Sequence, residues 1–519
     1  MIKCQTMKRV LFIGVCCGLA CLFSARADEA VVDPHPGSLT VPVTGTLPVM
    51  YINTVDNTVI DQKITYIDAT YWIETNGING YEPVGSRVDP LALGIRGRGN
   101  SSWGFDKKPY KLKLDKKTSL FGLSKSKHWA LLNHYPGQSS LIENVSFELA
   151  RRMGLGWTPS EIPVEVVLNG HNVGLYYLTE TVRIEPQRVN IYEQPDQNKE
   201  PETVAGGWLM EIDNYDDPCQ IQLEQDSEGT PFTGRFTYHS PEDLSELQYN
   251  WLENELKTIT ERIYTSDKTD NSWAELLDIE SLARYYLVQE LTDNIDAFVG
   301  STYFYKDLEG KWIFGPMWDS GWTFDDENRQ YTIFERRRQI FADIRFTWIE
   351  ELLKFPYFRE YTSNLWKTLS PGLLEGMDEY IDAFISHIEK AYKRNYDEIW
   401  KWETYTIDYL QAVFTQRLHD NYDWMNRYVD HTLASIDDVG MDSEQMSVIK
   451  IIQCGDRTIE IAGCNSDIVG VEVTGLDGRN IMAKMTSSNT ATLDATAGFY
   501  IAKAFTSAGA TLPAKFILR

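Results

Sequence analysis

Residues 289–324 read QELTDNIDAFVGSTYFYKDLEGKWIFGPMWDSGWTF. A helical run ends there in acidic and amide residues, Glu290, Asp293, Asn294 and Asp296. A strand over 302–306, a turn over 307–310 and a second strand over 311–314 make a tight hairpin. The chain then passes Gly315-Pro316 into Trp318-Asp319. Two carboxylates, Asp296 and Asp319, therefore flank one hairpin. Taken singly, Asp296 reads as a helix-end cap and Asp319 as a turn residue. As a pair inside an aromatic and apolar run they read as a candidate active site.

Upstream of this stretch the chain is rich in strands. Residues 49–72 alternate apolar and polar positions. LALGIRGRG (91–99) and PYKLKLD (109–115) flank a turn at 100–104 and form an expected hairpin. Short strands follow over 129–134, 162–168 and 173–179, the last two joined by Asn169-Gly170, a strong hairpin signal. Residues 140–153 carry a helical stripe, Leu141, Val145, Leu149 and Met153. Another strand over 206–213 leads into an acidic loop. From Ser240 the pattern turns helical, with Ser240-Pro241-Glu242-Asp243 read as a cap and Pro at the first helical position. Helices are expected over about 241–264, 278–295, 345–367, 371–396 and 404–436. The body is thus α+β, with a β-rich first lobe and a helical second lobe.

The basic hairpin offers a second chemistry. Arg96 and Arg98 share one strand face, as do Lys111 and Lys113, while Tyr110, Leu112 and Leu114 face the other way. Four cations on one surface, beside Gly97, Gly99 and Gly104, suit a phosphate-bearing ligand; a solvated basic side is the plainer reading. Glu180, Glu211 and Asp213 end neighbouring strands. Glu180 is a candidate to pair with and orient a lysine; the alternative is a strand end facing water. Asp296 is placed to accept a proton from an attacking hydroxyl or to hold a metal. Asp319 is placed to hold Mg²⁺ against phosphates, because carboxylate oxygens suit that hard ion. Arg336-Arg337-Arg338 reads as an acidic-substrate patch or, more plainly, as a solvated run. The eight histidines show no ligand spacing, and no Walker or GxSxG motif is present.

Composition bounds the rest. At 519 residues the chain exceeds one ordinary domain, and 43% hydrophobic content with 15 Trp supplies ample core. A formal charge of −26 argues against nucleic acid and anionic membranes as partners. Lys3, Lys8 and Arg9 precede an apolar run over 10–23 and then Ala25-Arg26-Ala27, the pattern of a signal peptide over residues 1–27. A membrane anchor and lipidation at Cys21 are the alternatives, the apolar run being short for a bilayer span. No other stretch spans a membrane, so the expected location is periplasmic, cell-surface or secreted. Residues 28–90 read as an N-terminal extension with leading strands. Residues 446–519 are all strand and read as a separate β-sandwich. Within it Cys454 and Cys464 form a disulfide or remain two buried thiols.

These motifs together resemble the CotH family, the spore-coat protein H kinase-like proteins. The matching segments are IRGRGNSSWGFDKKPYKLKL, WALLNHY with the helix beginning Leu141-Ile142-Glu143-Asn144, VVLNGHNVGLYYLTE, GGWLMEID, and DNIDAFVGSTYFYKD…GPMWDSGWTF. The resemblance implies an atypical protein-kinase-like domain over 91–438, binding ATP and Mg²⁺ and phosphorylating Ser of a protein substrate. It assigns Asp296 to the catalytic-loop Asp, Asp319 to the metal-binding Asp, and the nucleotide lysine to Lys111 or Lys113; Arg96, Arg98 and Glu180 join the nucleotide side on the reading of the basic hairpin and strand ends given above. Protein kinases carry a metal-binding Asn five residues after the catalytic Asp, where this chain has Ser301; Gly321 stands where many family members have a second Asp. The last segment, through VEVTGLDGRNI, LDATAGFYIAKAF and KFILR, resembles sorting or surface domains of secreted Bacteroidetes proteins. A different class of function remains open, a non-catalytic surface adhesin or a glycan- or protein-binding module on the same scaffold.

Overall fold

Alternating side chains over residues 110–114 set the first half of the structure. Tyr110, Leu112 and Leu114 are buried, while Lys111 and Lys113 point to the opposite side, as a strand with one apolar face requires. A computed structural model describes residues 35–78, 80–134, 141–223, 234–324, 329–341, 346–402, 405–429 and 433, and then 450–455, 457–462, 468–475, 480–496, 498–506, 509–510 and 514–518. Residues 1–27, the expected signal peptide, and the expected junction near 437–447 lie outside the described residues. The chain divides into two compact units, Met1–Ala434 and Ser435–Arg519.

Seven strands of the first unit close into a barrel. They are β1 (Val49–Thr54), β2 (Ile67–Glu74), β3 (Leu91–Gly97), β4 (Tyr110–Thr118), β5 (Ser126–Leu132), β6 (Glu161–Leu168) and β7 (His171–Glu180). Their order is β1-β2-β3-β4-β5-β7-β6, and a parallel pairing of β1 with β6 closes the ring. The interior is filled by Met50, Ile52, Leu93, Ile95, Leu112, Trp129, Val164, Tyr176 and Leu178, among others. Trp129 is fully buried, its indole N–H donating to the Ser126 carbonyl at 3.2 Å; filling such a position with a large aromatic is worth about 3 kcal/mol or more. Residues 49–74, read from sequence as leading strands of an extension, are integral barrel strands, because β1 and β2 carry the apolar positions that complete this core.

A second sheet runs in the order β12-β11-β8-β10-β9, built from β8 (Trp208–Ile212), β9 (Gln220–Leu223), β10 (Gly234–Ser240), β11 (Thr302–Lys306) and β12 (Ile313–Phe314). Helices α1 (Ile142–Arg152), α2 (Glu246–Ile263), α3 (Ile279–Leu291), α4 (Ile333–Ile340), α5 (Ile349–Leu352), α6 (Pro356–Leu369), α7 (Met377–Lys393) and α8 (Ile407–Tyr428) supply most of the rest. The body is therefore mixed α+β. Sequence reasoning missed β9 and β10 and started α2 too early. The true cap is Ser245, whose hydroxyl accepts from Gln248 N while the Gln248 side chain accepts from Ser245 N. That reciprocal box is worth about 1 kcal/mol and outcompetes the Ser240-Pro241 signal. The helix expected over 345–367 is broken in two because Pro356 takes the first position of α6.

The second unit is all strand among its described residues. One sheet orders Lys450–Gly455, Thr458–Ala462, Thr490–Leu493 and Ala483–Met485; the other centres on Ile468–Gly475 and Gly498–Thr506, the latter also pairing with Ala514–Leu518. Ile459, Val473, Leu493, Tyr500 and Leu518 form its core. Cys454 is exposed, and Cys464 lies outside the described residues. Among the described residues no helix is long and apolar enough to cross a membrane.

Candidate active site

The stretch that follows α3 is held in an unusual backbone. Asp293 (φ 57°), Phe298 (φ 61°), Ser301 (φ 48°), Asp319 (φ 54°) and Phe324 (φ 53°) are all left-handed without being glycine. Each such residue costs about 1–3 kcal/mol, and clusters of them mark positions that the surrounding structure over-determines. Here the surroundings are a dense apolar core in which Phe298 and Phe324 are buried. After α3 the Asp296 carbonyl accepts from Val299 N at 3.1 Å and Gly300 N at 2.9 Å, closing a tight turn that presents the carboxylate. The Phe298 amide donates to Thr302 Oγ1 at 2.8 Å, tying that turn to β11.

Cations from the following segment meet these acids one by one. Arg329 pairs with Glu290, Arg336 with Asp293, and Arg337 with Asp296. The arginine run 336–338 is thus neither solvated throughout nor a free patch for an acidic substrate. Arg336 and Arg337 are buried against Asp293 and Asp296, and only Arg338 stays exposed, beside Glu350. Helix periodicity explains the split, since α4 turns two of the three toward the core.

Asp319 keeps solvent access, next to the buried Trp318 and Ser320. Desolvation there is the first cause raising its carboxyl above the usual range; Arg98 opposes this, while Asp296 and Glu211 add to it. The amide of the next residue, Ser320, donates to Glu143 Oε1 at 2.8 Å. Glu143, on the first turn of α1, is itself pushed up to about 8, by burial first and the Asp319 charge second. Glu211, at the end of β8, accepts from His239 Nε2 at 2.6 Å, and the His239 ring stacks on Tyr303 at 5.3 Å. Asp213 is raised to about 6 by burial and by Glu211. Five acids therefore share one neighbourhood, and burial is the first cause that raises three of them, Asp319, Glu143 and Asp213.

A cavity of about 520 Å³ opens beside them, lined by Arg98, Lys111, Arg183, His239, Tyr303 and Trp318 among others. The Lys111 ammonium is pulled down to about 8, by burial first and then by Arg96, Arg183 and Arg98. Arg98 lies 5.5 Å from the Trp318 ring centroid and acts on both Lys111 and Asp319, so it links the cavity to the carboxylates.

The structure separates the remaining candidates. Arg96 pairs across from Lys111 in the β3–β4 ladder, as the shared face requires, but its guanidinium turns to the Lys63 carbonyl and the Tyr66 ring. Lys113 is exposed, 5.9 Å from the same ring. Of the two lysines only Lys111 lines the cavity. Glu180 does not pair with a hairpin lysine: it accepts from Ser160 N at 3.1 Å and faces Arg188 at 3.7 Å, a guanidinium buried over Trp129. The reason is register, because β5 lies between β4 and β7 and keeps Glu180 away from β4. Ser301 occupies the left-handed position between the Asp296 turn and β11. Glu143, Arg183, His239, Tyr303 and the Arg337–Asp296 pair were not singled out from sequence as site residues. Glu143 lies off the apolar stripe of its helix, and His239 sits on a strand the sequence pattern did not reveal.

Among the described residues no group of three or more His, Cys, Asp or Glu is arranged to hold a metal ion. Mg²⁺ asks for less, taking one or two carboxylates together with phosphate and water oxygens. The hard carboxylate of Asp319 and a second, incompletely bonded carboxylate at Glu143 fit that ion. A family model described as CotH kinase protein matches residues 95–436. No curated protein matches the chain.

Proposed function

The chain belongs to the CotH kinase protein family, and on that premise we propose that it is an exported protein kinase-like phosphotransferase with a two-lobed body, using ATP and Mg²⁺ to phosphorylate Ser of a protein substrate. The observation that carries this reading is Arg98, which spans the cationic cavity and the Asp319 carboxylate. The nucleotide occupies the cavity with its phosphates toward Lys111, Arg98 and Arg183. Asp319 holds Mg²⁺, which when bound draws charge from the phosphate oxygens. Ser301 would be a weaker oxygen donor to the same ion. Asp296 orients the acceptor hydroxyl and takes its proton as oxygen attacks the γ-phosphorus. The bond to the β-phosphate oxygen breaks, leaving ADP and a phosphoserine. Arg337 fixes the Asp296 carboxylate through their ion pair.

Residues 1–27 act as the export signal, and the terminal sandwich serves sorting or surface display. The test is transfer of labelled phosphate from ATP to a Ser-rich protein with Mg²⁺, against Asp319→Ala. Transfer no greater than in that variant, together with no nucleotide-dependent thermal shift, refutes the reading. A second reading, a glycan-binding surface protein, is favoured by one feature. A cavity of about 460 Å³ is lined by Trp103, Trp400, Tyr110, Asp61 and Asp106, which combines ring faces with carboxylates. Binding of neutral oligosaccharides, lost in Trp103→Ala, is its test.

A further inference from the structure

Glu143 carries a feature that clamping a loop does not require. It is 6% exposed, and its Oε1 accepts from the amide of Ser320. Its other oxygen, Oε2, is buried with no hydrogen-bond partner. A carboxyl left half-satisfied in the interior is expensive, whereas a glutamine at the same place would accept the same amide proton and carry no ionisable group. The helix N-terminus offsets a small part of the cost, about 0.3–1 kcal/mol at such positions.

The geometry points to a second role. Asp319 and Ser320 are adjacent in the chain, so the bond from Ser320 N to Glu143 brings the α1 carboxylate alongside the Asp319 carboxylate. The Asp319 charge raises the Glu143 carboxyl, and Arg98 is a cation that acts on both. The Ser320 hydroxyl also lies near the Glu143 carboxyl and favours its charged form. Two carboxylates from separate elements, one with a spare oxygen, is the protein share of a hard-cation site completed by phosphates and water.

We propose that Glu143 is a direct ligand of a divalent cation that it shares with Asp319, so that α1 is one wall of the cation site and the loop after β12 is the other. This rests on the reading of the site as one that handles Mg²⁺ and ATP. It adds a residue from a helix far earlier in the chain. The absence of the second Asp at Gly321 is then compensated from outside the loop.

The experiment titrates Mn²⁺ into the full chain, reading free Mn²⁺ by electron paramagnetic resonance and unfolding by a thermal scan. The wild type is compared with Glu143→Gln, Glu143→Asp and Asp319→Asn. Glu143→Gln keeps the acceptor for Ser320 N, so its melting temperature in EDTA is expected to equal or exceed that of the wild type. Its Mn²⁺ affinity is expected to fall by more than the roughly 10–100-fold that loss of an outer-shell partner costs. Glu143→Asp, one methylene shorter, is expected to fall in between.

Unchanged Mn²⁺ affinity in Glu143→Gln, with loss in Asp319→Asn, overturns the inference and leaves Asp319 as the cation residue. ATP stabilisation in EDTA without Mn²⁺ binding by the wild type overturns the inference but leaves the nucleotide reading. Silence of the wild type to both overturns the two together. If Glu143→Gln fails to fold, Glu143→Asp decides: wild-type affinity in it overturns the inference.

Discussion

Raising the pH through the Lys111 ammonium is expected to weaken ATP binding about tenfold. The ammonium titrates at about 8 in the free protein because it is buried beside Arg96, Arg183 and Arg98. At pH 7 about nine-tenths of the molecules carry the charge, and at pH 9 about one-tenth do. Phosphate prefers the charged form, so binding above pH 8 must take up a proton, and the dissociation constant rises by up to about tenfold per pH unit. Stability runs the opposite way. A lysine whose folded value is depressed from 10.5 contributes most above 10.5, and that contribution is lost as the pH falls toward 8. The assay is isothermal titration calorimetry with ATP in EDTA at pH 7, 8 and 9, in two buffers of different ionisation heat. Lys111→Arg stays charged throughout and is expected to show a flat profile. A constant affinity in the wild type, or the same decline in Lys111→Arg, refutes the placement of phosphates at Lys111.

Three further outcomes check the structure independently. Glu180→Gln leaves the buried Arg188 with Glu185 as its remaining carboxylate partner and is expected to lower stability by about 1–3 kcal/mol in urea melts, with ATP affinity unchanged within about twofold, since Glu180 serves Arg188 and not Lys111. Gly97→Ala places a methyl 2.3 Å from the Trp103 ring and is expected to cost about 1–3 kcal/mol, read by the same melts. His134 is buried and held down at about 3, against 6.5 when free, so its stabilisation is present above pH 6.5 and lost as the pH falls toward 3. His134→Phe is expected to remove about 2 kcal/mol of the difference in stability between pH 7.5 and pH 5.

Several parts of this arrangement were legible in the sequence, for reasons tied to particular residues. The period of two in PYKLKLD gave β4 and its faces, and Asn169-Gly170 gave the β6–β7 turn. The hairpin after Asp296 was readable because its strands are short, aromatic and separated by a turn. What sequence did not reveal depends on pairing between distant segments. β9 and β10 contain polar residues such as Gln220, Gln222 and Arg235, which blur the alternation. Nothing local distinguishes Lys111 from Lys113; the cavity wall on the far side does. The destination of Glu180 follows from strand order, which no single segment contains. The partners of Arg336 and Arg337 lie 43 and 41 residues earlier, so the run reads locally as a solvated patch.

The parallel pairing of β1 with β6 has a practical consequence for anyone cutting the gene. The family match begins at residue 95, inside β3. A fragment trimmed to residues 95–436 would lack β1, β2 and most of β3, leaving β4 and β6 as raw edges with open hydrogen-bonding groups and an uncovered apolar interior. Such edges are templates for intermolecular pairing. The fragment is therefore expected to collect in inclusion bodies, whereas one beginning before Val49 keeps the ring shut and stays monodisperse on size-exclusion chromatography. The smallest soluble piece of this protein is set by hydrogen-bond closure and is longer than the homologous region.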